Sequence, residues 1–204
     1  LYAYDEFVPT TFDWYFAEGY TGDGFEEWLC LANPGDTAAD DASVEVTYLF
    51  NGGGAPLVRN YAVPAGSRVT VSVNGAVGPG AEVAMQVVSD KPVVAERPMY
   101  FNYRGAWAGG SCVVGADRPM SKWYFAEGYT GEGFHTWLCL QNPNAAEVHA
   151  TVTYMFAGGG TQDQRLALPP SSRTTISVNE VAGPGKDVSV RVTPEEDFIV
   201  AERP

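Results

Sequence analysis

WYFAEGYTGDGFEEWLCLANP, Trp14 to Pro34, returns as WYFAEGYTGEGFHTWLCLQNP, Trp123 to Pro143, with seventeen of twenty-one positions identical. Downstream the copies keep step through Tyr48/Tyr154, Phe50/Phe156, Ser67-Arg68/Ser172-Arg173, Val73-Asn74/Val178-Asn179, Gly78-Pro79-Gly80/Gly183-Pro184-Gly185 and Ala95-Glu96-Arg97-Pro98/Ala201-Glu202-Arg203-Pro204. The chain is a tandem duplication with a period of about 105 residues. That period exceeds the 20 to 50 residues of a solenoid unit, so each copy is expected to fold around its own core.

Within a copy the pattern is that of short strands. Val44, Val46, Tyr48 and Phe50 alternate with Ser43, Glu45, Thr47 and Leu49, and Val152, Tyr154 and Phe156 repeat the phase. A period of two buries one face of a strand. Glu27 to Ala32 is a strand closed by Asn33-Pro34. Val69, Val71 and Val73 predict another, matched by Thr174, Ile176 and Val178. Val83, Met85 and Val87 predict a third, matched by Val188, Val190 and Val192. Glycine clusters at Gly52 to Gly54 and Gly158 to Gly160 supply hairpin turns. No amphipathic helical period runs for ten residues. The fold class is therefore all-β, two tandem Ig-like β-sandwiches. The boundaries expected are an N-terminal strand or linker over 1–13, repeat 1 over 14–110, a linker over 111–122 and repeat 2 over 123–204. Repeat 2 halts at Glu-Arg-Pro, where repeat 1 continues into Met99-Tyr100-Phe101-Asn102-Tyr103. Leu1, Tyr2, Ala3 and Tyr4 resemble that piece. One expectation is that they act as a strand donor, or that the continuation of a longer chain does, completing the last sheet of a neighbour's second copy head to tail; the other is that the sequence is simply cut at that point.

The formal charge of −13, from 25 acidic against 12 basic residues, argues against nucleic acid and anionic membrane surfaces as partners. No apolar run approaches the 18 residues of a membrane span. Cys30 and Cys139 hold the same place in the two copies, so neither has an equivalent partner in its own unit, and they read as buried thiols. Cys112, beside Gly109 and Gly110, is the one cysteine suited to pairing or reactivity.

The motifs WYFAEGYTG, Asn-Pro, Gly-Pro-Gly and Val94-Ala-Glu-Arg-Pro-Met-Tyr-Phe-Asn-Tyr103 resemble an uncharacterised repeat of long secreted and surface-attached bacterial proteins, notably actinobacterial ones. The resemblance implies an extracellular setting and a modular architecture, and it brings no catalytic residue.

Comparing the copies filters candidates for chemistry. His135 and His149 align with Glu26 and roughly Ser43, so a catalytic imidazole is not a property of the repeat. No nucleophile elbow, zinc-protease motif or phosphate loop occurs. No cofactor is implied and the expectation is a non-enzyme. The shared charged residues are Glu18/Glu127, Arg68/Arg173, Glu96/Glu202 and Arg97/Arg203, joined by Asn33/Asn142 and Asn74/Asn179. Paired carboxylates can serve glycoside hydrolysis. Structural Glu-Arg pairing is the preferred reading, because a buried charge needs a partner. Asp36, Asp40 and Asp41, or Glu195, Glu196 and Asp197, are calcium candidates by composition. Neither cluster has the alternating Asp pattern of a calcium loop or recurs in the other copy, which makes solvated loops the better reading. Trp28, Trp107 and Trp137 are candidates for stacking on sugar rings, with Trp14, Trp123, Tyr20 and Tyr129 nearby in sequence. Two functions follow as expectations: a structural or adhesive module that self-associates or meets a cell-surface partner, or a carbohydrate-binding module of a secreted hydrolase with a glycan as ligand.

Overall fold

The computed structural model describes residues 12–204. The expected strand at Leu1 to Tyr4, its role as donor and most of the leading linker lie outside the described residues. Repeat 1 runs β1 (Phe12–Phe16), β2 (Phe25–Asn33), β3 (Ala42–Phe50), β4 (Leu57–Val63), β5 (Ser67–Ser72), α1 (Val73–Val77), β6 (Val83–Ser89), β7 (Val94–Tyr103) and β8 (Trp107–Val114). Repeat 2 runs β9 (Trp123–Phe125), β10 (Trp137–Asn142), β11 (Val148–Phe156), β12 (Thr161–Leu168), β13 (Ser172–Ser177), α2 (Val178–Ala182), β14 (Val188–Pro194) and β15 (Val200–Glu202).

The sheets have the orders β1-β6-β3-β4 and β5-β2-β7-β8 in repeat 1, and β9-β14-β11-β12 and β13-β10-β15 in repeat 2. The strand pairs are antiparallel. The protein is all-β, and each repeat is a sandwich. In repeat 1, Val44, Val46, Tyr48 and Val87 of one sheet meet Leu29, Leu31, Val71 and Ala95 of the other. In repeat 2, Val152, Tyr154 and Val192 meet Leu138, Leu140, Ile176 and Ala201. Each unit thus encloses its own apolar layer, which is what two-residue alternation on facing sheets produces. Trp14 and Trp123 sit at equivalent edges of these layers. Their indole N–H groups donate to the carbonyls of Val93 (2.9 Å) and Ile199 (2.8 Å), which settles the polar atom of a ring that is buried in Trp14 and half-buried in Trp123.

Three boundaries differ from the sequence expectation. Phe12 and Asp13 belong to β1, not to a linker, because β1 pairs with β6 from Phe12 onward. Ser111 to Val114 are strand, not linker: β8 pairs with β7 from Trp107 to Val114 and so extends repeat 1 past residue 110. Val73 and Val178 do not continue their strands but open short helices. Ser72 and Ser177 stop the strands by capping, with the hydroxyl oxygen accepting from Gly75 N–H at 3.1 Å and Glu180 N–H at 3.4 Å. The helices end at Gly78 (φ 85°) and Gly183 (φ 77°), a left-handed turn that only glycine enters without strain.

Candidate functional site at the contact between the repeats

The asparagines shared by both copies are consumed by the fold. Asn74 accepts from Glu27 N–H (2.8 Å) and donates to Phe25 O (2.9 Å). Asn179 does the same with Thr136 and Phe134, each at 2.9 Å. These amides tether the Gly-rich loop of the shared block to the short helix. Asn33 donates to Val63 O (2.9 Å) and Asn142 to Leu168 O (3.0 Å), tying the end of the block to the next hairpin. A buried amide that closes a loop in both copies is an architectural element.

Four of the eight shared charged residues, Glu18, Arg97, Arg173 and Glu202, converge on one place. Arg97 on β7 is 1% exposed, and its guanidinium donates to Glu18 Oε2 at 2.6 Å and to Glu202 Oε2 at 3.1 Å. It also donates to the Glu18 carbonyl. Glu18 and Arg97 belong to repeat 1 and Glu202 to repeat 2, so the network crosses between the units. Glu202 Oε2 additionally accepts from Glu18 N–H at 2.6 Å. Burial depresses the pKa of Arg97, but Glu202, Glu18 and Glu27 outweigh it and the net displacement is upward, which keeps the guanidinium charged. Burial raises the pKa of Glu202.

Arg173 of repeat 2, expected in an ion pair, instead points its guanidinium into repeat 1. There it donates to the carbonyls of Gly19 and Val83, the latter at 3.1 Å, and within its own repeat to Cys139 Sγ at 3.1 Å. The reason is local: Gly19 presents a bare backbone. A side chain there would place its first carbon 2.5 Å from Val83 O and from a carboxylate oxygen of Glu27, so only glycine leaves room for the guanidinium's carbonyl partners. Among the described residues three further hydrogen bonds cross the contact: Gln141 Nε2 to Met85 O (3.2 Å), Thr175 Oγ1 to Glu82 Oε2 (2.6 Å) and Gly52 N–H to Arg173 O (3.0 Å). Tyr15 and Ala17 of repeat 1 pack with Cys139 and Val200 of repeat 2 in a small apolar cluster.

Glu27 lies among these charges, was not singled out by motif reading, and is fully buried. Neither of its carboxylate oxygens has a hydrogen-bond partner among the described residues. Burial pushes its pKa up to about 8, against the pull of Arg97 and Arg173 and with the repulsion of Glu18 and Glu202. The sequence did hold a signal. The shared block differs at four positions, Asp23/Glu132, Glu26/His135, Glu27/Thr136 and Ala32/Gln141. Of these, Glu27 and Gln141 lie at the contact between repeats.

The remaining candidates are dispersed. Arg203 pairs with Glu127 at 2.8 Å near the surface, the repeat-2 counterpart of Arg97 with Glu18. Arg68 is exposed and donates to Cys30 Sγ at 3.0 Å, and among the described residues it has no ion-pair partner, contrary to the expectation. Glu96 is exposed beside Cys112 Sγ (3.9 Å) and does not pair with its neighbour Arg97. Asp36 is exposed, and the other five calcium candidates spend their carboxylates on protein groups. Asp40 accepts from Thr37 N–H and hydroxyl, Asp41 from Ala65 N–H and Asp197 from Phe198 N–H. Glu195 pairs with Arg165 at 2.7 Å and Glu196 with His149 at 2.9 Å. Among the described residues no group of three His, Cys, Asp or Glu side chains stands ready to hold a metal. Trp28 and Trp137 are half-buried, whereas Trp107 is 48% exposed and lies 6.3 Å from the Tyr103 ring at a 37° tilt. The cysteines are unpaired; Cys30 and Cys139 are buried and Cys112 is exposed.

No protein-family model matches the chain, and no curated protein does. Among solved structures the chain is similar to the crystal structure of Thermotoga maritima 1070, at TM-score 0.47 and 19% identity, covering 52% of this chain and 94% of that one. It is also similar to the Anabaena sensory rhodopsin transducer, at TM-score 0.38 and 18% identity, covering 43% and 95%. Among the described residues no helix is long and apolar enough to cross a membrane.

Proposed function

We propose that the chain is a non-catalytic, extracellular β-sandwich repeat module with a structural or adhesive role, stacking its units head to tail. The observation that carries this reading is the buried charge network in which Arg97 of one repeat is held between Glu18 of the same repeat and Glu202 of the next. Each shared amide closes a loop in both copies, and each shared charged position joins the units in one of its two copies, through Glu18, Arg97, Arg173 and Glu202. A buried multi-residue network of this kind orients two domains far more sharply than a flexible linker does. The extracellular placement rests on the sequence resemblance, and the acidic composition agrees with a partner other than nucleic acid.

A carbohydrate-binding role is the second reading, favoured by the exposed Trp107 beside Tyr103 and by Tyr100 at 57% exposure. The two rings are tilted rather than coplanar, so a flat stacking platform is not preformed. A glycan array, run with the unaltered chain and with Trp107→Ala, separates the two readings. The structural reading expects no glycan signal above background from either protein. Tight glycan binding that disappears in Trp107→Ala overturns it in favour of the second.

A further inference from the structure

The two repeats meet through different surfaces. Repeat 2 uses the outer face of β13-β10-β15, with Cys139, Gln141, Arg173, Thr175, Val200 and Glu202. Repeat 1 uses the end of β1 and the start of β6, with Tyr15, Ala17, Glu18, Gly19, Glu82 and Val83, together with Arg97. Because the units are copies, each also carries the surface that the other one uses, and both of those surfaces are exposed.

Residue by residue, the exposure pattern follows this rule. Val200 is fully buried at the contact, and its counterpart Val94 is 38% exposed. Tyr15 is 7% exposed and its counterpart Tyr124 is 65% exposed. Arg173 is buried and Arg68 exposed; Ala17 is buried and Ala126 exposed. The free surfaces are nevertheless already set as their buried counterparts are. Arg68 holds Cys30 Sγ at 3.0 Å as Arg173 holds Cys139 at 3.1 Å, and Arg203 holds Glu127 at 2.8 Å as Arg97 holds Glu18 at 2.6 Å. Around Cys30, the outer face of repeat 1 has a depression of about 370 Å³ lined by Ala32, Arg68, Val94, Glu96 and Tyr100. In the observed contact, Tyr15 and Ala17 occupy the equivalent position over Cys139 and Val200.

We propose that this depression is the docking site for the outer end of repeat 2 of a second copy of this chain, in the geometry by which repeat 2 sits on repeat 1 within one chain. Tyr124 and Ala126 of the second copy pack over Cys30 and Val94. Glu96 joins the Glu127–Arg203 pair as Glu202 joins Glu18–Arg97, and Arg68 reaches the carbonyls of Gly128 and Val188. Thr70 faces Asp187 as Thr175 faces Glu82. Charge complementarity is kept at each position, and Thr136 in place of Glu27 removes the unpartnered carboxylate from the new contact. Gln141 is replaced by Ala32, so one hydrogen bond is lost. The contact joins unlike surfaces, so it propagates rather than closing as a twofold dimer. The inference rests on reading the chain as a structural module.

The test is sedimentation of the full chain with two substitutions at exposed positions, Arg68→Glu on one surface and Tyr124→Asp on the other. A short linker supplies an effective concentration on the order of 1 mM for the contact within a chain. Association between chains is therefore expected to raise the weight-average mass about twofold or more as concentration climbs from about 10 µM to about 1 mM. Each variant alone should stay monomeric. An equimolar mixture should recover a one-to-one dimer and no more, because one intact surface of each kind remains. A chain that stays monomeric to about 1 mM overturns the proposal, as do variants that associate like the unaltered chain or a mixture that stays monomeric. None of these results bears on glycan binding, so the structural-module reading stands or falls separately on the array.

Discussion

Replacing Glu27 with Gln removes a titration without changing the shape of the buried side chain. In the folded protein burial pushes this carboxyl from 4.5 up to about 8. Below pH 4.5 it is protonated in folded and unfolded chains alike. Between 4.5 and about 8 only the unfolded chain releases the proton, so the folded state binds more protons and stability falls as pH rises. Above about 8 both states are ionised and the loss is complete. At about 1.4 kcal/mol per pH unit, the full loss is about 5 kcal/mol. Glu27→Gln cannot ionise and should escape it. The variant should match the unaltered protein at pH 4 and exceed it by up to about 5 kcal/mol at pH 9, with the difference growing across the window. Glu202, whose pKa burial also raises, leaves some slope in both proteins. Urea titrations followed by tryptophan fluorescence at four or five pH values give the two curves. Parallel curves with a constant offset would refute a buried, displaced carboxyl at Glu27.

The two copies also provide their own control for ion-pair energetics. Arg97→Ala leaves Glu18 and Glu202 without their buried partner and should cost about 3 to 5 kcal/mol, whereas Arg203→Ala breaks a pair whose Glu127 side chain is 70% exposed and should cost less than about 1 kcal/mol. Equal costs in urea unfolding would contradict the placement of the network between repeats. A native-state thiol titration should label Cys112 ahead of Cys139: partial burial and Glu96 raise the Cys112 thiol as well, but it is exposed to reagent, whereas Cys139 is 1% exposed and burial pushes its thiol up to about 11. Labelling of Cys139 as fast as Cys112 would mean that the contact between repeats is open in solution.

The duplication, the all-β class and most strand positions were legible in the sequence. These depend on features local in the chain: alternation in β3 and β11, glycine at turns needing positive φ, and a block repeated at fixed offset. Local competition explains the exceptions. Ser72 and Ser177 offer a helix cap that ends the strand before Val73 and Val178, and Ser111-Cys112, following two glycines, reads as the start of a linker although β7 gives it a strand partner. The list of shared charges was legible too; Glu18, Arg97, Glu202, Glu127 and Arg203 pair among the described residues, whereas Arg68, Arg173 and Glu96 take other partners. Which charge met which was decided by the tertiary structure alone. Arg97 and Arg203 are the same residue in the same local setting, yet one is buried and the other near the surface, because the next repeat covers only the first. The same holds for Tyr15 and Tyr124 and for Arg173 and Arg68. Identical sequences specify identical units, whereas burial depends on what lies across the contact, and that neighbour is about a hundred residues away in the chain.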